Sequence, residues 1–191
     1  MTVMKKVLFF LLVSAIVITS QAQLGLTAGG NICKWRGNNF TETSGFTGYN
    51  FGAYGNVKLN SKLSIQSEVT FSQEGAKDRF MLYTVKLDYL NLTELLRYNE
   101  KCGFYAGTGP QLGLYLYGQG TQYGVSKYIK DEFKLSNFSW AFATGYDMKI
   151  GIGIYARYNV GFANIAAKRG ETIMEDIFQA GLRYNFKTKL K

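Results

Sequence analysis

The chain has 191 residues and a formal net charge of +9, with 47% hydrophobic and 16% aromatic residues, 22 glycines, one proline, two cysteines and no histidine. That length suits one domain, the aromatic content excludes a disordered chain, and two cysteines exclude a disulfide-dense scaffold. Without histidine, Ser-His-Asp triads and their Cys-His variants cannot be built.

At the N-terminus, Lys5 and Lys6 precede an apolar run at residues 7–18 and then Ser20-Gln21-Ala22. This layout predicts a secretory signal peptide over residues 1–22, cleaved after Ala22, with residues 23–191 as one exported domain. The run is shorter than the roughly 20 residues a spanning helix needs. The residue directly after the cleavage site is Gln23 rather than cysteine, so an amino-terminal lipid anchor is not expected. Cleavage lowers the charge from +9 to +7, because the segment carries two lysines and no acid. The remaining basic residues are scattered through polar connections rather than gathered in a stripe, which together with export argues against a nucleic-acid partner. They read instead as solvated loops facing anionic lipid headgroups. Mean hydropathy is −0.09, which is compatible with a membrane barrel because only alternate residues face lipid.

After Gln23 the apolar residues recur with period two. In residues 151–165, Ile152, Ile154, Ala156, Tyr158, Val160 and Phe162 share one face, while Tyr155, Arg157 and Asn159 share the other, as in a strand and unlike a helix. Similar runs predict eight strands near 24–32, 46–59, 62–72, 82–98, 102–117, 135–148, 151–164 and 177–186. The fourth slips phase near Tyr89-Leu90, which predicts a bulge, and Pro110, unable to donate a ladder bond, predicts another in the fifth. Tight turns at 60–61, 99–101 and 149–150 alternate with polar stretches near 33–45, 73–81, 118–134 and 165–176. One rim of short turns and one of long loops is the asymmetry of outer-membrane barrels.

The face opposite the apolar one carries Glu68, Lys86, Asp88, Gln111, Arg157 and Arg183, with many glycines and with Tyr54, Tyr105, Tyr115 and Tyr155. A crowded polar interior accounts for that mixture, and closure satisfies every backbone group in lipid. The expected fold is therefore all-β: an eight-stranded, antiparallel, up-and-down transmembrane β-barrel in the outer membrane, surrounded by lipid and monomeric. Two other readings remain open. A soluble lipocalin-like carrier would turn the Val, Ile and Phe face inward, and a small pore would need a lumen wider than eight strands provide.

The segments LGLTAGGNI, KLSIQSEVTFSQEGAK, LDYLNLTELLRY, FYAGTGPQLGLYLYG, GIYARYNVGFANI and FQAGLRYNF, in that order, resemble the PorT-like outer-membrane β-barrel family of Gram-negative bacteria. The likeness spans nearly all of the mature chain. Thr93-Glu94 stands where the family often has a proline, and Lys187 to Lys191 extend past the usual final aromatic. The resemblance implies an outer-membrane barrel and, for some members, a part in protein secretion or envelope assembly. Gln179, Gly181, Tyr184 and Phe186 are similar to the C-terminal signal read by the barrel-assembly machinery, an implied partner. The small barrel enzymes of the outer membrane resemble one another in using a histidine, so no catalytic residue, cofactor or metal is expected here.

Among charged residues, Glu68 at mid-height on the third strand is expected to pair with Arg157, Arg183 or both across the lumen, plugging it, since buried charge is costly unless paired. Cys33 and Cys102 fall at opposite rims, about 25 Å apart across the hydrocarbon band, so no bond between them is expected. Gly151-x-Gly153-x-x-Ala156 lies inside a strand rather than between a strand and a helix, which removes the dinucleotide reading. The functional expectation is a non-enzymatic barrel with a structural or envelope role, or one that binds through its long loops, above all 118–134 with Tyr117, Tyr123 and Tyr128 in or beside it.

Overall fold

A computed structural model describes residues 22–38, 43–78 and 83–186. Apart from Ala22, the expected signal peptide lies outside the described residues, as does the tail at 187–191. The chain forms β1 (Gln23–Arg36), β2 (Thr43–Lys58), β3 (Leu63–Asp78), β4 (Tyr83–Asn99), β5 (Phe104–Gln122), β6 (Val125–Tyr128), β7 (Ser136–Asp147), β8 (Ile152–Gly161) and β9 (Met174–Asn185). Every pairing is antiparallel. Eight strands run in sequence around the wall, and β1 against β9 closes it. The short β6 pairs only with the end of β5 and stands above the wall as a hairpin arm.

The tight turns lie at one rim. Asn60 Oδ1 accepts from the amides of Lys62 and Leu63 at 2.9 and 2.8 Å, folding the β2–β3 turn. Gly103 and Gly151 have φ of +103° and +96° in the other two turns, a region open chiefly to glycine. The long connections gather at the opposite rim, but they are shorter than expected because β1 to β5 extend to 14–19 residues. Nine to eleven tilted residues cross a bilayer, so these strands rise past the hydrocarbon. Much of the loop expected at 118–134 is the upper part of β5, a turn at Tyr123-Gly124 and β6.

The apolar face points outward. Leu26, Phe51, Val69, Phe142, Ile154 and Leu182 are exposed, while Asn31, Gln66, Thr93, Gln111, Asn159 and Gln179 are buried inside. This is the reverse of a lipocalin-like carrier. Aromatic residues ring the outside toward both ends, with Tyr98, Phe104, Tyr146 and Tyr184 near the turns and Tyr49, Trp140 and Tyr158 on the loop side, as barrel girdles do. Inside, Tyr54, Tyr105 and Tyr155 each lie over a glycine. A Cβ built on Gly25, Gly145 or Gly29 would stand 2.3, 2.5 or 2.8 Å from those tyrosine side chains respectively.

Three expectations are corrected. Lys86 and Asp88 lie on the outer face, because Val85, Leu87 and Tyr89 point inward. The reason is that the wall inverts its polarity: in the turn half of β4, Asn91, Thr93 and Arg97 face in and Leu92 and Leu96 face out. Above that level the exterior meets headgroups or water while the interior packs against an apolar cap. The irregularity near Tyr89-Leu90 is this inversion, and β4 itself keeps its alternation. A bulge does sit at that height, but its extra residue is Leu116 of β5, since Asp88 pairs with Tyr117 and Tyr89 with Tyr115. Pro110 makes no bulge: the β4–β5 ladder lapses at Glu94 and Leu95 and resumes in the same register.

Candidate functional site

The lumen is filled in layers. Nearest the turns, Arg183 of β9 donates to Tyr105 Oη at 2.7 Å, Gln66 Oε1 at 2.7 Å and Tyr54 Oη at 3.1 Å. Its guanidinium carbon lies 4.0 Å from the Tyr54 ring centre, and that of Arg97 lies 3.6 Å from Tyr105. Asp147 of β7 accepts from Arg97 at 2.9 Å and lies 3.4 Å from Arg183. One layer up, Glu68 is ion-paired with Arg157 and accepts from Gln66. Arg183 reaches Gln66, Tyr54, Tyr105 and Asp147 rather than Glu68. Above these, Tyr155 donates to Asn50, Asn50 to Asn31, and Asn31 to Ser72, at 2.6–2.9 Å.

The loop half holds an arrangement that the sequence does not announce. Glu74 and Glu175 are both fully buried there. Asn91 donates to Glu74 at 2.8 Å, and the Trp35 indole and the Gly75 amide donate to Glu175 Oε1 at 3.0 Å each. Both acids lie in stretches expected to be loops, so the longer strands are what bring them inside. Arg97 and Asp147 also join the lumen network. Arg97 shares a face with Asn91 and Thr93, a signal obscured by the phase slip expected in β4.

An apolar cap covers this pair. Trp35, Val85, Leu87, Tyr89 and Tyr115 of the wall pack with Ile129, Phe133, Ile165, Ala166 and Ile173 of the loops. The β6–β7 and β8–β9 connections fold inward and pair with each other, by a bridge between Phe133 and Ala166 and by bonds from Lys134 N to Ile165 O and from Ala167 N to Glu132 O. Where they meet the wall, a cavity of about 570 Å³ opens at the loop rim, floored by the cap and edged by Asp131, Glu132, Lys168 and Glu171.

The expected assembly residues are divided between faces. Gln179 is buried against Asn31, Gly181 pairs with Gly29 and Tyr155, and Tyr184 and Phe186 stack edge-on outside, 5.5 Å apart. Cys33 is buried in the loop half of β1, and Cys102 is exposed in the β4–β5 turn at the other rim. Among the described residues no cluster of three potential metal ligands occurs.

A closed antiparallel wall with an apolar exterior and a hydrogen-bonded polar lumen defines an integral outer-membrane β-barrel protein. The chain belongs to the outer membrane protein beta-barrel domain family, whose profile matches residues 18–167. No curated protein matches the sequence. Among solved structures, Neisserial surface protein A is similar, with a TM-score of 0.57 and 13% identity over 85% of this chain and 97% of that one. Ail, the attachment invasion locus protein of Yersinia pestis, has a TM-score of 0.51 and 13% identity over 86% of this chain and 99% of that one. A second Ail structure, in complex with the heparin analogue sucrose octasulfate, aligns with the same TM-score of 0.51 at 14% identity, again over 86% and 99%. These likenesses establish the shared fold.

Proposed function

We propose that this protein is a closed, non-enzymatic barrel that holds a binding surface of loops at the outer face of the membrane. The observation that carries this reading is the filled interior. From Arg183 and Asp147 at one end to the apolar cap at the other, side chains occupy the lumen of an eight-stranded barrel, which is only wide enough for them. What is left open is the cavity among the loops.

The absence of histidine from the sequence supports the non-enzymatic part. The Glu74–Glu175 pair has the composition of a glycosidase carboxyl pair, but it is sealed beneath Trp35 and the cap. Resemblance to PorT-like barrels supports a place in protein secretion or envelope assembly, with partners reached through the loops. In the same reading residues 1–22 direct export, and Gln179, Gly181, Tyr184 and Phe186 form the signal that delivers the chain to the assembly machinery.

Planar-bilayer recording tests the central claim. The purified protein, its folding checked by heat-modifiable gel mobility, is expected to give no stepwise conductance, and a steady conductance would replace the closed barrel with a pore. Replacing residues 123–135 with a short Gly-Ser linker is then expected to abolish capture of envelope partners while leaving barrel assembly intact.

A further inference from the structure

Building on the reading that the loops form the binding surface, we propose that the loop-rim cavity binds a cation carried on a small apolar body, a primary ammonium or guanidinium attached to an aromatic or short aliphatic frame. At about 570 Å³ the cavity has the size of a small-molecule site. Its floor is aromatic and aliphatic: Trp35, Val85, Phe133 and Ile173, all buried in the cap. Trp35 and Phe133 have ring centres 5.6 Å apart, and the Trp35 indole is anchored by its bond to Glu175. A floor fixed in this way is pre-organised, and aromatic faces attract cations as well as apolar groups.

The rim supplies the sign of the charge. Three carboxylates, Asp131, Glu132 and Glu171, face one ammonium, Lys168. Lys168 is held by Glu171 at 2.8 Å. Among the described residues neither Asp131 nor Glu132 has an ion-pair partner. This acidic edge stands out in a chain whose formal charge is +9. Lys34, Lys86 and Lys127 are exposed on the outer wall and the hairpin arm; of the exposed cations in the two rim connections, Lys134 donates to the Asn164 carbonyl at 2.9 Å, and neither it nor Arg169 lines the cavity. Together the acids favour a cation over a neutral or anionic ligand, and the floor favours an apolar body behind it.

The chain has two tryptophans, and Trp140 is on the outer wall, so a Trp140→Phe variant in zwitterionic lipid nanodiscs leaves Trp35 to report from the cavity. Titration with phenethylammonium is expected to change Trp35 emission saturably, and added salt should weaken the response. The neutral isostere 2-phenylethanol is expected to bind at least about tenfold more weakly, and Asp131→Asn with Glu132→Gln to lose about tenfold for the ammonium only, as two partly screened charges allow. Retained heat-modifiable mobility shows that each variant is folded. Equal binding of the alcohol, an unaltered ammonium affinity in the double variant, no saturable response, or a Trp35 response to sucrose octasulfate instead would each overturn the proposal. Those outcomes in a barrel that stays non-conducting sink this inference alone, whereas steady conductance sinks the reading beneath it.

Discussion

Glu68 lies deep in the lumen between the Gln66 amide and the Arg157 guanidinium, with both charged partners almost fully buried. Removing its charge strands Arg157, and breaking a buried pair from one side costs about 3–5 kcal/mol. Glu68→Gln is therefore expected to lower stability by that order in urea unfolding from lipid vesicles, with Glu68→Met plus Arg157→Met recovering most of it. Unchanged stability combined with a new conductance would instead make the pair a gate. The inward positions of Glu68, Arg157 and Arg183 are legible in the sequence, because β3, β8 and β9 alternate strictly around them. The specific partner of Arg183 is not: two arginines on adjacent strands look equivalent in a pattern, and only the strand stagger sends one to Glu68 and the other to Gln66 and Asp147. Glu74 and Glu175 are hidden for a different reason, since each sits in a polar-looking stretch whose strand character comes from the wall it extends.

Pairs of strands show why so many glycines and tyrosines share one face. Each large ring crosses the lumen wall over a neighbour that lacks a side chain, so ring and gap are complementary. Gly145 is one instance, because its Cβ would meet the Tyr105 ring and hydroxyl as well as the Ile154 carbonyl oxygen. Overpacking of this kind typically costs about 1–3 kcal/mol, and Gly145→Ala is expected to lower the unfolding midpoint accordingly, with Tyr105→Leu in the same chain restoring part of the loss. Strand number, order and the sorting of turns from loops are all legible in period-two runs and connection lengths. The pattern misleads in β4, where one strand passes between two environments. Val85 and Leu87 are interior because the cap is apolar, and Leu92 and Leu96 are exterior because lipid is apolar. Hydropathy cannot tell these apart. The β6 arm escapes the pattern because its four exposed residues carry no alternation of burial.

For the molecule as a whole, topology sets sidedness. Tyr123-Gly124 is an exposed tip at the loop rim, with nothing within 4 Å of a Cβ on Gly124, and such tips tolerate insertion. An epitope placed between these two residues is expected to be stained on intact cells, and the same epitope at Ser61 in the β2–β3 turn only after the outer membrane is permeabilised. The seam between the first and last strands has a different consequence. Gln179 reaches Asn31 across 148 residues of chain, and the twelve residues of β9 carry Glu175, Gln179 and Arg183 together. A polypeptide cut short before Met174 thus lacks the Glu175 carboxylate that Trp35 donates to, leaves Tyr54 and Gln66 without Arg183, and leaves β1 and β8 as bare edges of the kind that invite aggregation. An unfinished copy therefore differs from a finished one in its own structure, by two unpaired strand edges and a polar lumen that has lost its partners.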